Sequence, residues 1–156
     1  MDGTRREVLK RSGGLTLLSL VAAAGWLRPE EAHAEWNKAA FEAKSLDDTL
    51  KALGGSAPAQ SKDVVFVNTP DIAENGAVVP IGITSSIPKT ESIAILIEKN
   101  PNMLAAVFDI PSGTEPAINT RVKMGQSSNV YALVKADGKY YVASKEIKVT
   151  LGGCGG

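Results

Sequence analysis

The residues best placed to do chemistry gather at the end of the chain. Gly152-Gly153-Cys154-Gly155-Gly156 contains the only cysteine among 156 residues, with two glycines on each side. A thiol so placed has no adjoining side chains and a nearly unrestricted backbone. It reads as a nucleophile that reaches into another molecule, not as a core residue. Thiolate is the reactive form, and an ordinary cysteine titrates near ~8.5. The nearest cations in sequence are Lys145 and Lys148, and the carboxylate of Gly156 opposes the anion slightly. Activation of the sulfur is therefore expected in a partner's pocket. From Thr150 to Cys154 the chain can extend roughly 13 Å, at about 3.3 Å per residue. Gly152 and Gly153 supply the joint of such an arm, and Gly155 and Gly156 keep it slender enough for a narrow channel.

The other end of the chain reads as an export signal. Paired arginines, Arg5 and Arg6, precede an uncharged stretch from Gly13 to Leu27, and a small-residue cleavage site follows at Ala32-His33-Ala34. The stretch is fifteen residues long, short of the roughly 20 that a membrane span needs. The pattern is that of the twin-arginine route to the periplasm, with Val8 where that pattern favours Phe. Residues 1–34 are expected to be removed, leaving no membrane segment and 122 residues, one domain in length.

That removal leaves 12 basic against 13 acidic residues and no basic patch that argues for nucleic acid. It also takes away the only histidine, His33. A Ser-His-Asp triad, a Cys-His pair and a soft-ligand zinc, copper or haem site within one chain are then excluded. An intramolecular disulfide is excluded by the single cysteine, and no cofactor is expected. Redox chemistry at Cys154 must have its electrons handled by another protein.

The body must hold this terminus in place. Trp36, Ala40, Ala43, Leu46, Leu50 and Leu53 recur at steps of three or four, so Glu35 to Leu53 is expected to be helical. Ser45, with Asp48 three residues on, reads as an N-cap, and Gly54-Gly55 as the stop. Seven strands are expected beyond Lys62. Val64 to Asn68 is a short apolar run. Ala77 to Thr84 places Val79, Ile81 and Ile83 on one face, with Pro80 and Gly82 suggesting an edge or a bulge. Ser92 to Glu98 is nearly all apolar and reads as a central strand, with Leu104 to Ile110 as another. Ala117 to Met124 alternates, with Ile118, Val122 and Met124 inward. Val130 to Lys135 and Tyr140 to Val149 flank Asp137-Gly138, a strong hairpin signal.

These elements predict an all-β fold: an antiparallel, immunoglobulin-like β-sandwich over 35–151. A short N-terminal helical segment would cover one edge or end, and a flexible C-terminal arm would span 152–156. The aromatic side chains of this region read as core and hairpin packing.

An exported small β protein ending in GGCGG resembles the SoxY family, the sulfur-carrier subunits of the thiosulfate-oxidising Sox system. Ala73-Glu74-Asn75-Gly76-Ala77-Val78-Val79-Pro80 also resembles that family, and the likeness spans essentially the whole chain. It implies that Cys154 is the covalent attachment point for sulfur, and that Gly152, Gly153, Gly155 and Gly156 act as a swinging arm. It implies a heterodimer with a SoxZ-like subunit. A haem cytochrome would couple thiosulfate to the cysteine, a manganese hydrolase would release sulfate, and a molybdenum-haem sulfur dehydrogenase would oxidise the remaining sulfur. The protein itself would be a carrier and not an enzyme. The rival reading is an exported immunoglobulin-like adaptor whose tail cysteine forms a disulfide with a partner. A thiol oxidoreductase is disfavoured, because the chain has no second, resolving cysteine. N-terminal sequencing of the exported protein is expected to begin at Glu35; a start at Met1 would refute the export reading.

Overall fold

The structure is a computed structural model, and it describes residues 37–150. Two short helices come first, α1 (Lys38–Glu42) and α2 (Leu46–Ala52). The expected single helical stretch is broken because Ala43 is extended and Ser45 opens a new helix, its side chain accepting from the Asp48 N–H at 3.1 Å. Asn37 caps α1 and also donates through Nδ2 to the Ala52 carbonyl at 2.8 Å, locking the two helices together. The second helix ends as expected, at Gly54 with φ +78°.

All seven expected strands are present, together with two two-residue additions. In chain order they are β1 (Ala59–Gln60), β2 (Val64–Val67), β3 (Ile72–Ala73), β4 (Val79–Ser85), β5 (Thr90–Ile97), β6 (Leu104–Asp109), β7 (Ala117–Val122), β8 (Ser128–Ala136) and β9 (Lys139–Val149). The larger sheet runs β1-β9-β8-β5-β6, with β3 also pairing β9, and the smaller runs β2-β4-β7. The long strands pair antiparallel, while β1 and β3 add parallel to β9. Asp137 and Gly138, both at positive φ, close the β8–β9 hairpin as its sequence predicts.

The core between the sheets comes from alternate residues. Val79, Ile81 and Ile83 of β4 meet Ile93, Ile95 and Ile97 of β5 and Val130, Ala132 and Val134 of β8. The other face of the larger sheet is also buried. Ala94, Leu96, Leu133 and Val142 pack against Ala40 and Leu50 of the helices. The helices therefore cover the outer face of the larger sheet and not an edge or end. This explains why β5 reads as continuously apolar, since a strand covered on both faces has no solvent side to make polar. Phe66, Phe108 and Tyr141 pack on the inner core, and Phe41, Tyr131 and Tyr140 on the helix side.

Two strand positions differ from expectation. The strand bearing Pro80 lies in the middle of the smaller sheet, not at an edge. The Gly82 N–H points to the β2 side, where it meets Thr69 Oγ1 at 3.0 Å. Two residues away, the nitrogen of Pro80 points the same way, past the last paired residue of β2, Val67. No ladder bond is lost there. Conversely, the Leu104–Asp109 strand is not central but outermost in its sheet. The register shift opposite Ile95/Leu96 leaves Ala105 outside the pairing, a bulge of the kind that blunts a free edge.

At the hairpin end, Lys135 Nζ sits 3.0 Å from Glu91 Oε2. That contact lowers the Glu91 carboxyl and raises the Lys135 ammonium from their ordinary values. Burial raises the Tyr140 phenol, whose hydroxyl donates to the Leu53 carbonyl at 2.8 Å.

Leu50, 2% exposed, is the main anchor of the helical layer. Leu50→Ala is expected to destabilise the domain by about 2–5 kcal/mol in urea unfolding. A change under about 1 kcal/mol would show that the helices contribute little to the outer-face core.

Candidate functional site

Cys154 and the glycines Gly152, Gly153, Gly155 and Gly156 lie outside the described residues. The structure instead defines where the chain leaves the body. Strand β9 carries it there in eleven residues, from Lys139 to Val149. Its inward side chain Ile147 is fully buried and pins the end of the strand to the core.

Three separate pieces of chain hold the last residues. On one side β3 pairs parallel with Lys148 and Val149. The Lys148 N–H donates to Asp71 O at 2.9 Å, and the Thr150 N–H to Ala73 O at 3.1 Å. On the other side the Val149 N–H donates to Ser127 Oγ at 2.9 Å. Beneath lies Gly76, whose carbonyl accepts from Met124 N–H at 2.7 Å. A Cβ on Gly76 would stand 2.5 Å from Met124 O and 2.9 Å from Val149 Cγ1, so only glycine lets the loop close up under the strand. Asn75 shapes that loop by accepting from the Ala77 N–H through Oδ1 at 2.9 Å.

The segment from Ala73 to Pro80 is therefore the seat of the exit strand. Its sequence is legible as a motif, but the motif does not reveal this mechanical role. The contributions of β3 and Ser127 were missed altogether. Two residues of strand carry no periodicity, and a lone serine carries no signal.

The two cations nearest the thiol in sequence have different settings. Lys145 is engaged, its Nζ 3.0 Å from Asp71 Oδ1 and 2.6 Å from Thr69 O. It braces the 69–71 segment against β9. Lys148 is exposed on the outer face of β9. Among the described residues no group of His, Cys, Asp or Glu could hold a metal ion.

The class so defined is an immunoglobulin-like sandwich whose last described strand is anchored at its end by remote segments. A sequence model of the family "Sulfur oxidation protein SoxY" matches residues 50–154, ending on the cysteine itself. The structure of the sulfur carrier protein SoxY from Chlorobium limicola f thiosulfatophilum is 38% identical. The match covers 68% of this chain and 96% of that one, with a TM-score of 0.61. Two superoxide reductase (neelaredoxin) structures from Ignicoccus hospitalis are each 18% identical with TM-scores of 0.49, too distant to bear on function. They cover 64% and 59% of this chain and 87% and 83% of their own. No curated protein sequence matches significantly. The chain belongs to the SoxY family; it is a sulfur carrier and not a catalyst.

Gly76→Ala is expected to cost about 1–3 kcal/mol through overpacking against Met124 and Val149. Amide exchange at Lys148 and Thr150 should accelerate with it. Unchanged exchange at both amides would refute the seat.

Proposed function

We propose that the protein is exported to the periplasm by the twin-arginine route, loses residues 1–34, and carries thiosulfate-derived sulfur on Cys154. Residues 35–151 form the body and residues 152–156 the carrier arm. The observation that carries this reading is the extent of the family match, which runs through the sandwich and stops at Cys154. The anchored end of β9 supports it. Cys154 is four residues beyond Thr150, so its departure point is held while the thiol can enter a partner. Ile72 and Val78, 58% and 49% exposed, flank that point as apolar surface for the mouth of such a partner.

The chemistry balances as follows. The cysteine sulfur forms an S–S bond with the outer sulfur of thiosulfate, giving up one proton and sending two electrons to a haem partner. Water then attacks the terminal sulfonate sulfur at a manganese hydrolase. The bond between the sulfane and sulfonate sulfurs breaks, sulfate leaves, and a persulfide remains on Cys154. A molybdenum-haem sulfur dehydrogenase oxidises the remaining sulfane sulfur. The carrier works as a heterodimer with a SoxZ-like subunit. Covalent tethering keeps the intermediate at high effective concentration for each partner.

Intact-mass measurement tests this directly. After thiosulfate exposure in partner-containing extract, the protein is expected to gain a thiosulfate-derived mass that Cys154→Ser abolishes. A disulfide-linked dimer with no sulfur adduct would support the adaptor reading instead. Gly153→Val is expected to lower turnover with partners about tenfold or more while leaving thermal stability unchanged. Normal turnover would remove the narrow-channel argument.

A further inference from the structure

The seat of β9 contains a chemically reactive pair. Asn75-Gly76 is the only asparagine–glycine step in the sequence. An asparagine is labile when the next backbone nitrogen can attack its side-chain amide. Glycine in that next position removes the side chain that would obstruct the approach. Other asparagines have poorer successors. Asn100 precedes Pro101, which has no N–H, and Asn119 and Asn129 precede the ladder residues Thr120 and Val130.

The fold prepares this pair. Asn75 is exposed, so water reaches its side chain and ammonia can leave. The Ala77 N–H donates to its Oδ1 at 2.9 Å, which folds the side chain back over the Gly76 peptide. That N–H also faces the oxygen that turns negative when the amide carbon is attacked. Gly76 is buried, but its attack is intramolecular. Among the described residues its N–H has no acceptor, so no hydrogen bond must break first. A slower successor is barred, because a Cβ at position 76 would crowd Met124 O and Val149 Cγ1. Asp137-Gly138 is the contrast. There Glu91 Oε1 holds the Gly138 N–H at 3.1 Å, and Lys89 Nζ holds the Asp137 carboxylate at 3.1 Å. Nitrogen and target are both engaged, and a carboxylate is the poorer electrophile.

We propose that Asn75-Gly76 is a self-modification site whose isoaspartate product unseats the end of β9. The Gly76 nitrogen gives up its proton and bonds to Asn75 Cγ. The Cγ–Nδ2 bond breaks, ammonia leaves, and a succinimide ring closes. Water then opens the ring. Opening at Cγ gives aspartate on the ordinary backbone. Opening at the main-chain carbonyl carbon gives isoaspartate, whose backbone runs through Cβ and Cγ. Water is the only co-reactant, and nothing is oxidised or reduced. Aspartate keeps an oxygen for the Ala77 N–H. Isoaspartate lengthens the backbone by a methylene and displaces the Gly76 carbonyl from the Met124 N–H, now 2.7 Å away. The close fit of Gly76 against Val149 is lost with it. Neither the site nor its chemistry depends on the carrier reading.

The test incubates the purified protein at mildly alkaline pH, folded or in urea, and digests it with trypsin. Electron-transfer fragmentation of the peptide 63–89 then separates asparagine, aspartate and isoaspartate at position 75. Folded Asn75 is expected to convert within about tenfold of its rate in urea, and about tenfold or more faster than any other described asparagine. Asp137 is expected to isomerise in urea only. Protection of Asn75 by the fold beyond about tenfold would overturn the site. Isomerisation of folded Asp137 at its urea rate would overturn the role given to the free Gly76 N–H. The isoaspartate form is next isolated by ion exchange, and its amide exchange is compared with that of fresh protein and of Asn75→Asp. Met124 and Thr150 should exchange about tenfold faster or more in the isoaspartate form alone. Equal exchange in all three samples would overturn the unseating. Equal acceleration in Asn75→Asp would overturn the lengthened backbone as its cause.

Discussion

The structure depends on holding one strand still up to its last residue. Strand β9 stays in the sheet through Thr150, so the chain leaves the body from a fixed place. Ordering each backbone residue costs about 1–2 kcal/mol, and a single hydrogen bond returns only about 0.5–1.5 kcal/mol. One partner would therefore leave Lys148 to Thr150 free to fray. The chain supplies several: the 71–73 carbonyls on one side, Ser127 on the other, Gly76 beneath, and buried Ile147 just before. These partners lie far apart in sequence and converge only there.

The body is arranged to make that strand dependable. It has three layers, because the larger sheet is apolar on both faces and needs the helices over Ala94, Leu96, Leu133 and Val142. Strand β9 lies between β8 and the short parallel additions, so much of its outer edge is covered. The free edge falls to β6 instead, where the bulge at Ala105 and the charge of Asp109 discourage pairing with other chains. The family's carrier role and the stiffness of this scaffold are thus consistent.

Much of this was legible from residues alone. Alternation in 79–83 and 118–124 placed the inner core correctly, because a half-buried strand must alternate. Asp137-Gly138 announced its hairpin, and Ser45 its cap. Other features misled for physical reasons. Pro80 suggested an edge, but its missing donor faces the end of a shorter neighbour, which only the register reveals. The continuous apolar runs of 92–98 and 104–110 look alike, yet one lies inside its sheet and the other outside. Helical periodicity in 35–53 could not say which surface the apolar stripe would cover.

By itself the sequence determined the inventory of reactive groups: a single thiol between glycine pairs, a single histidine at position 33, and strands of definite period. Those are properties of residue types and local spacing, and they survive without knowledge of the fold. Tertiary structure alone decided which remote segments meet. It brought Asp71, Gly76 and Ser127 to the root of one strand and turned Lys145 inward to Asp71. Such meetings arise from strand register and sheet packing, which are long-range and leave no local pattern to read.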